Sequence, residues 1–275
     1  MAQNLAQKFS PKVDEVFRLS SLTNDAVNTD YDWDGVNVVN IYGVSTVAPG
    51  NYTRSGSNRY GTVNELDTTK TAYTLTRDRA FTFTIDRRNR DESQNASDQG
   101  AALRREIEVQ VIPEIDVYRM AGWLTAATAN SALVNTGATT SSNAYSDFLS
   151  VNERLSNNSV PINGRKCFMT YNYYNLLKQS GFVVASELGQ QTRGSGLLGN
   201  VDGVDVIAVP SSYMPANTNL IMVHPISTVS PIVLTDYIVH ENAPGVNGFL
   251  IEGRFVYDNF ILTNKVNAVA VHKTA

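Results

Sequence analysis

The chain has 275 residues, 42% hydrophobic and 9% aromatic, enough to bury a sizeable core in one large domain or two modest ones. Charged residues make up only 17%, below the roughly 25% usual for soluble domains, so surface polarity rests largely on Asn, Ser and Thr. A net charge of -4 gives no overall pull toward nucleic acid or an anionic membrane, and the single cysteine, Cys167, rules out an intrachain disulfide and a cysteine-built zinc site.

The N-terminal run MAQNLAQKFSPKV has no long apolar stretch behind a positive region, and no later window is long and apolar enough to span a bilayer. The sequence therefore predicts neither a signal peptide nor a membrane span, and no repeat of fixed period is visible. Ser10 before Pro11 makes an N-cap with proline at the first helical position, and Val13, Val16 and Phe17 share one stripe. That predicts a short amphipathic helix over 10–21, an arm too short to stand alone in water.

The β-branched run VNVVNIYGV at 36–44 predicts a strand. A polar excursion over 48–69 follows, with almost nothing to bury. The chain returns through TAYTLTRDRAFTFTIDRR, where Tyr73, Leu75, Phe81, Phe83 and Ile85 alternate with polar residues. Two strands flanking a long polar stretch predict an extended hairpin. Beyond Asp98 the period changes: Leu103, Ile107, Val111, Ile115 and Tyr118 share a stripe, predicting one long helix over about 97–129, kinked or broken near residue 112 by Pro113.

A helix at 144–155 follows, with Tyr145, Phe148 and Leu155 as its apolar face. Then come a strand at 166–171, a helix at 173–179 and a hairpin turning at Asp202 and Gly203. The last third, 219–273, reads as strands without a helix, so the fold class is α+β rather than an alternating parallel sheet.

Patterns that look chemical fail on context. Gly194, Gly196 and Gly199 have dinucleotide-loop spacing but lack the flanking strand and helix. Asp30, Asp32, Asp34 and Gly35 copy the start of a calcium loop, yet its twelfth position, which must be a bidentate carboxylate, is Ile41. His224, His240 and His272 sit in apolar strand patterns without metal-ligand spacing, and Cys167 reads as a small buried hydrophobe. No catalytic residue, cofactor or metal site is predicted. The densest charge lies in one strip, Arg77, Arg79, Arg87, Arg88 and Arg90 interleaved with Asp78, Asp86, Asp91 and Glu92. Its signs nearly cancel, which suits ion pairs between subunits better than a phosphate-binding face, with a solvated strand edge as the plain alternative.

Four segments in order, TAYTLTRDRAFTFTIDRRNRDES, VIPEIDVYRMAGW, VDGVDVIAVPSSYMPANTNLIMVHP and NGFLIEGRFVYDNFILTNKVNAVAVHK, resemble the major capsid proteins of tailed double-stranded DNA bacteriophages, the Hong Kong 97-type fold. The resemblance implies an N-terminal arm over 1–35, an extended loop hairpin with its flanking strands over 36–87 and a peripheral domain with its spine helix over 88–130. It further implies an axial domain over 131–230 and closing strands shared between the two domains over 231–275. It implies a structural subunit without catalysis, located in the virion capsid and assembled in the host cytoplasm.

Its partners would be itself, as pentamers and hexamers, then a separate scaffolding protein, a portal, decoration proteins and packaged double-stranded DNA held without sequence specificity; no membrane is implied. Some relatives carry a covalent crosslink; Lys70 lies near the loop, with no partner identified. The rival shell is an encapsulin-like nanocompartment, and the rival from another class is a small-molecule enzyme around Gly194 to Gly199.

Overall fold

A computed structural model describes residues 21–28, 30–31, 38–63, 65–88, 99–180, 199–241, 244–245 and 247–274. The helix expected over 10–21 lies, apart from Ser21, outside these residues. Along the chain run β1 (Val38–Val44), β2 (Thr68–Thr74), β3 (Arg77–Asp86), α1 (Gln99–Glu106), α2 (Ile112–Thr128), β4 (Val134–Thr136), α3 (Ala144–Asn157), β5 (Lys166–Thr170) and α4 (Tyr171–Gln179). The remaining strands are β6 (Asn200–Val201), β7 (Val204–Val209), β8 (Thr218–Val223), β9 (Thr228–Val229), β10 (Ile232–His240), β11 (Gly248–Tyr257), β12 (Phe260–Ile261) and β13 (Val269–Lys273). Among the described residues the last third contains only short 3-10 turns besides strands, as its sequence predicts.

The expected hairpin is present. β1 and β2 pair antiparallel from Val38 opposite Thr74 to Val44 opposite Thr68, forming a two-stranded ribbon. Two residues later the chain enters a different sheet, the antiparallel trio β10-β11-β3. In β3 the period-two pattern places Ile85 in the interior and half-buries Phe81 and Phe83, with exposed Asp78, Ala80, Thr82 and Thr84 on the other face.

The spine is helical from Gln99 to Thr128, but its kink takes a form other than a break. A single π-turn, Ile107–Val111, lies immediately before Pro113, and the Ile112 N–H bonds back five residues to Ile107 O. Pro113 has no N–H to offer and its ring crowds the preceding turn, so widening the ladder by one residue absorbs the defect without ending the helix. The helix then serves two cores. Val111, Ile115 and Tyr118 meet Phe81, Phe255 and Tyr257 of the three-stranded sheet. Met120, Trp123 and Ala127 enter the main core under a six-stranded mixed sheet, order β4-β13-β8-β5-β7-β6.

That main core is closed by Phe148, Val151 and Leu155 of α3 and by Tyr173, Tyr174 and Leu177 of α4, with Trp123 stacked on Phe168 at 5.2 Å. The strand expected to run to residue 171 stops at Thr170, whose side chain accepts the Tyr173 N–H at 3.3 Å and so caps α4 two residues earlier than its apolar pattern indicates. The Asp202–Gly203 turn between β6 and β7 is as expected, with φ of 51° and 76°, the left-handed pair that a two-residue hairpin requires. No helix among the described residues is long and apolar enough to cross a membrane.

Candidate subunit interface

The hairpin divides into a supported root and an unsupported tip. Along the root, Val39, Ile41, Tyr73 and Leu75 pack with Tyr31, Val229, Val233, Phe260 and Leu262. The Tyr73 ring lies 5.3 Å from that of Phe260, its hydroxyl accepts the Thr263 N–H at 3.2 Å, and Gly43 lets Asn264 approach where a side chain would collide. Residues 258–264 thus form a rail beside the ribbon. A space of about 220 Å³ remains between ribbon and rail, lined by Tyr31, Ile41, Tyr73 and Leu262 among others.

Every described residue from Val44 to Lys70 is exposed. The sequence reading of this stretch as poor in buryable residues is correct in number, but its few apolar side chains are uncovered: Tyr60 is 88% and Val63 92% exposed, with Val47, Tyr52 and Leu66 also in solvent. The tip still has internal order. Tyr52 and Tyr60 meet edge to face at 5.1 Å, Thr53 N–H bonds Arg59 O at 3.0 Å, and the Arg59 guanidinium bonds Gly56 O at 3.1 Å. The tip thus presents a partly ordered aromatic surface to solvent.

Where root, spine and rail meet, buried polar groups form a network. Asp116, inside α2, accepts from Ser21 Oγ and the Leu22 N–H, both at 2.9 Å, and from Thr23 Oγ1. Arg119, one turn on, donates to Thr23 Oγ1 and to Ser230 Oγ, both at 2.9 Å, and Ser230 Oγ donates to Asp258 O at 2.7 Å. Burial lowers the Arg119 pKa to about 10, with the Asp116 charge opposing the shift, so the guanidinium stays charged at neutral pH. Asn259 sits on Gly122, where any Cβ would collide with its amide, and donates to Arg119 O at 3.1 Å. Sequence reading missed this network, although two charges three residues apart beside an apolar helical stripe signal a paired interior site.

The mixed-charge strip is engaged within its own subunit. The Arg77 guanidinium lies 4.8 Å from the centre of the Tyr118 ring, and Arg79 Nε meets Glu114 Oε1 at 2.8 Å. Asp78 on the opposite face takes both arms of the Arg254 fork, whose hydrogen bonds hold its carboxyl below the usual carboxylate range. Arg87 donates to Glu241 O at 3.0 Å and rests over the Phe249 ring, while Asp86 Oδ1 accepts the Arg88 N–H at 2.8 Å. Arg90, Asp91 and Glu92 lie outside the described residues. The partners Glu114, Glu241 and Arg254 come from elements distant in sequence, which is why the strip was legible and its pairing was not.

The remaining chemical-looking residues are separate. Cys167 is buried and burial pushes its thiol pKa well up, which leaves it protonated. His224 Nδ1 accepts the Ile226 N–H at 3.2 Å, capping a short turn. His240 lies 3.3 Å from Glu252 at the surface, and His272 is buried in β13 with Asp147 Oδ2 at 3.6 Å. Among the described residues no three His, Cys, Asp or Glu side chains cluster to hold a metal ion. Asp32, Asp34, Gly35, Gly194 and Gly196 lie outside the described residues.

No family model and no curated protein matches the chain. Solved structures do. Mycobacterium phage Che8 matches with a TM-score of 0.71 and 16% identity, over 98% of this chain and 97% of that chain. The capsid structure of Cyanophage P-SCSP1u matches with a TM-score of 0.74 and 12% identity, over 99% and 93% of the two chains. The asymmetric unit of the bacteriophage PhiM1 mature capsid gives 0.74 and 13%, over 98% and 92%. The chain has the phage capsid-protein fold. At these identities the likeness lies in the path of the chain through hairpin, spine and mixed sheet rather than in shared residues, and the α+β Hong Kong 97-type expectation is met on that ground. What the phage capsid-protein fold does in this chain rests on its own surfaces.

Proposed function

We propose that this chain is the major capsid protein of a tailed phage, a non-enzymatic subunit that self-assembles into an icosahedral shell around double-stranded DNA. The observation that carries the reading is the exposed hairpin tip: a capsid fold holds Tyr60, Val63 and Leu66 on a projecting loop where no described residue of this chain buries them. In this reading the six-stranded layer is the axial domain that meets its copies around pentamer and hexamer centres. The three-stranded layer with the spine is the peripheral domain, and the hairpin lies over a neighbour.

The outward edges of the arginine strip then meet a second copy in addition to their partners within the subunit. The nearly balanced charge of the strip supports contact with protein rather than with DNA. Scaffolding protein, portal and decoration proteins are the partners such a shell calls for, the host cytoplasm is where assembly would take place, and DNA is retained by enclosure.

Sedimentation and negative-stain electron microscopy of the purified chain test the proposal, with and without a scaffolding protein. Capsomers or shells are expected, and a monodisperse monomer at high concentration under both conditions would overturn it. Hydrogen exchange over Gly50 to Gly61 should slow on assembly.

A further inference from the structure

The ribbon of β1 and β2 is joined to β3 by only two residues, Leu75 and Thr76, and one buried side chain grips that joint. Asp258 is 4% exposed. Its Oδ2 accepts both the Thr76 N–H at 2.9 Å and Thr76 Oγ1–H at 2.7 Å. Its Oδ1 accepts Tyr118 Oη–H of the spine and its neighbour Asn259 N–H, both at 2.8 Å. Its main-chain carbonyl is held by Ser230, which is held in turn by Arg119. The carboxylate therefore ties the exit of the hairpin to the spine, and the main-chain carbonyl of the same residue ties that joint through Ser230 to the buried network, while the contact above it along the rail leaves a space of about 220 Å³.

Resting on the capsid reading, we propose that Asp258 is the positioning residue that sets the angle at which the hairpin leaves the subunit, and so which place on a neighbouring copy the tip reaches. Apolar contacts along the root tolerate sliding, because they have no direction; four hydrogen bonds to a fixed carboxylate do not. An amide at this position has one accepting oxygen where four donors need two, so Asp258→Asn must leave one arm of the clamp facing a donor.

The test uses the full chain. In Asp258→Asn, exchange of the Thr76 amide should rise by about tenfold or more, as loss of a charge-assisted bond implies, with the amides of Phe168 and Met222 in the six-stranded sheet unchanged. Assembly should give shells of mixed size or unclosed sheets. Thr76→Val, which removes one arm and keeps every buried charge, should do the same to a smaller degree, and Thr76→Ser should restore uniform shells. Should Asp258→Asn fail to fold, Thr76→Val and Tyr118→Phe carry the test.

The proposal is overturned if Thr76 exchange is unchanged in these variants, or if exchange rises equally in the six-stranded sheet, which would mark a general structural role. It is also overturned if wild type and variants build identical shells. A wild-type chain that builds no shell under any condition overturns the capsid reading instead, and the exchange of Thr76 still reports on the clamp.

Discussion

In the six-stranded layer Leu220, Ile221, Met222 and Val223 are consecutive and all buried, whereas in the hairpin every second residue of β1 is exposed and so is every described residue from Val44 to Lys70. Both segments are rich in β-branched and apolar residues; what differs is who covers them. A strand flanked by two others and packed on both faces is stabilised by its own chain, so its side chains answer to the melting of the subunit. The length of hairpin beyond its packed root contributes little to that melting and leaves its surface open to a neighbour. On the proposed capsid reading, folding and assembly rest on separate residues, and substitutions should move one without the other.

The largest effect should come from emptying the layer. Phe148→Ala or Trp123→Ala removes a fully buried ring and should cost about 3–5 kcal/mol in subunit stability by urea unfolding. Replacing 48–66 with a short Gly-Asn turn should change stability by no more than about 0.5 kcal/mol while abolishing shells. Equal losses from the two changes would dissolve the contrast between the regions. Next in size is Asp116→Ala, which removes the carboxylate whose charge offsets the burial of Arg119; with Thr23 and Ser230 still holding the guanidinium, the loss should be about 3 kcal/mol. The matching substitution Arg119→Met separates lost pairing from buried charge, and should be the milder of the two.

A smaller, pH-dependent effect should locate in the layer rather than in the ribbon. Burial lowers the pKa of His272, against the pull of Asp147, and burial likewise lowers that of His224. The unfolded chain then binds protons more readily than the folded one. Stability from these sites is complete above the ordinary histidine pKa of about 6.5 and declines as pH falls through and below it. Urea midpoints measured at pH 7.5 and 5.5 should show that decline, and His272→Gln should flatten it; a slope unaltered by the substitution would place the acid sensitivity elsewhere.

The smallest change in folding should come from the charge strip. Reversing Arg87 and Arg88 to Glu should leave the melting temperature nearly unchanged but lower the salt concentration at which shells come apart. If both fall together, the contacts of Arg87 with Glu241 and Phe249 belong to the fold more than to assembly.

How much of this was legible in sequence follows from how local each signal is. The ribbon was readable because period-two patterning and a long polar interruption are properties of neighbours in the chain, as were the stripe of the spine and the Asp202–Gly203 turn. Pro113 announced a disturbance, but whether a helix breaks or widens depends on what holds its two ends, here two different cores. The place of β13 between β4 and β8 was hidden, since a strand's neighbours are chosen by tertiary packing. The grip of Asp258 on Thr76 joins residues 182 positions apart, and no local pattern marks such a pair.

Gly122 shows what this long-range organisation demands of a local element. In a helix interior glycine is about 1 kcal/mol less favourable than alanine, and nothing in the helix itself calls for it there. The demand comes from Asn259, whose amide occupies the place a methyl group would take. The position is a keyhole whose shape is dictated from the far end of the chain: the spine is locally weaker at this point so that the rail can lie flush against it.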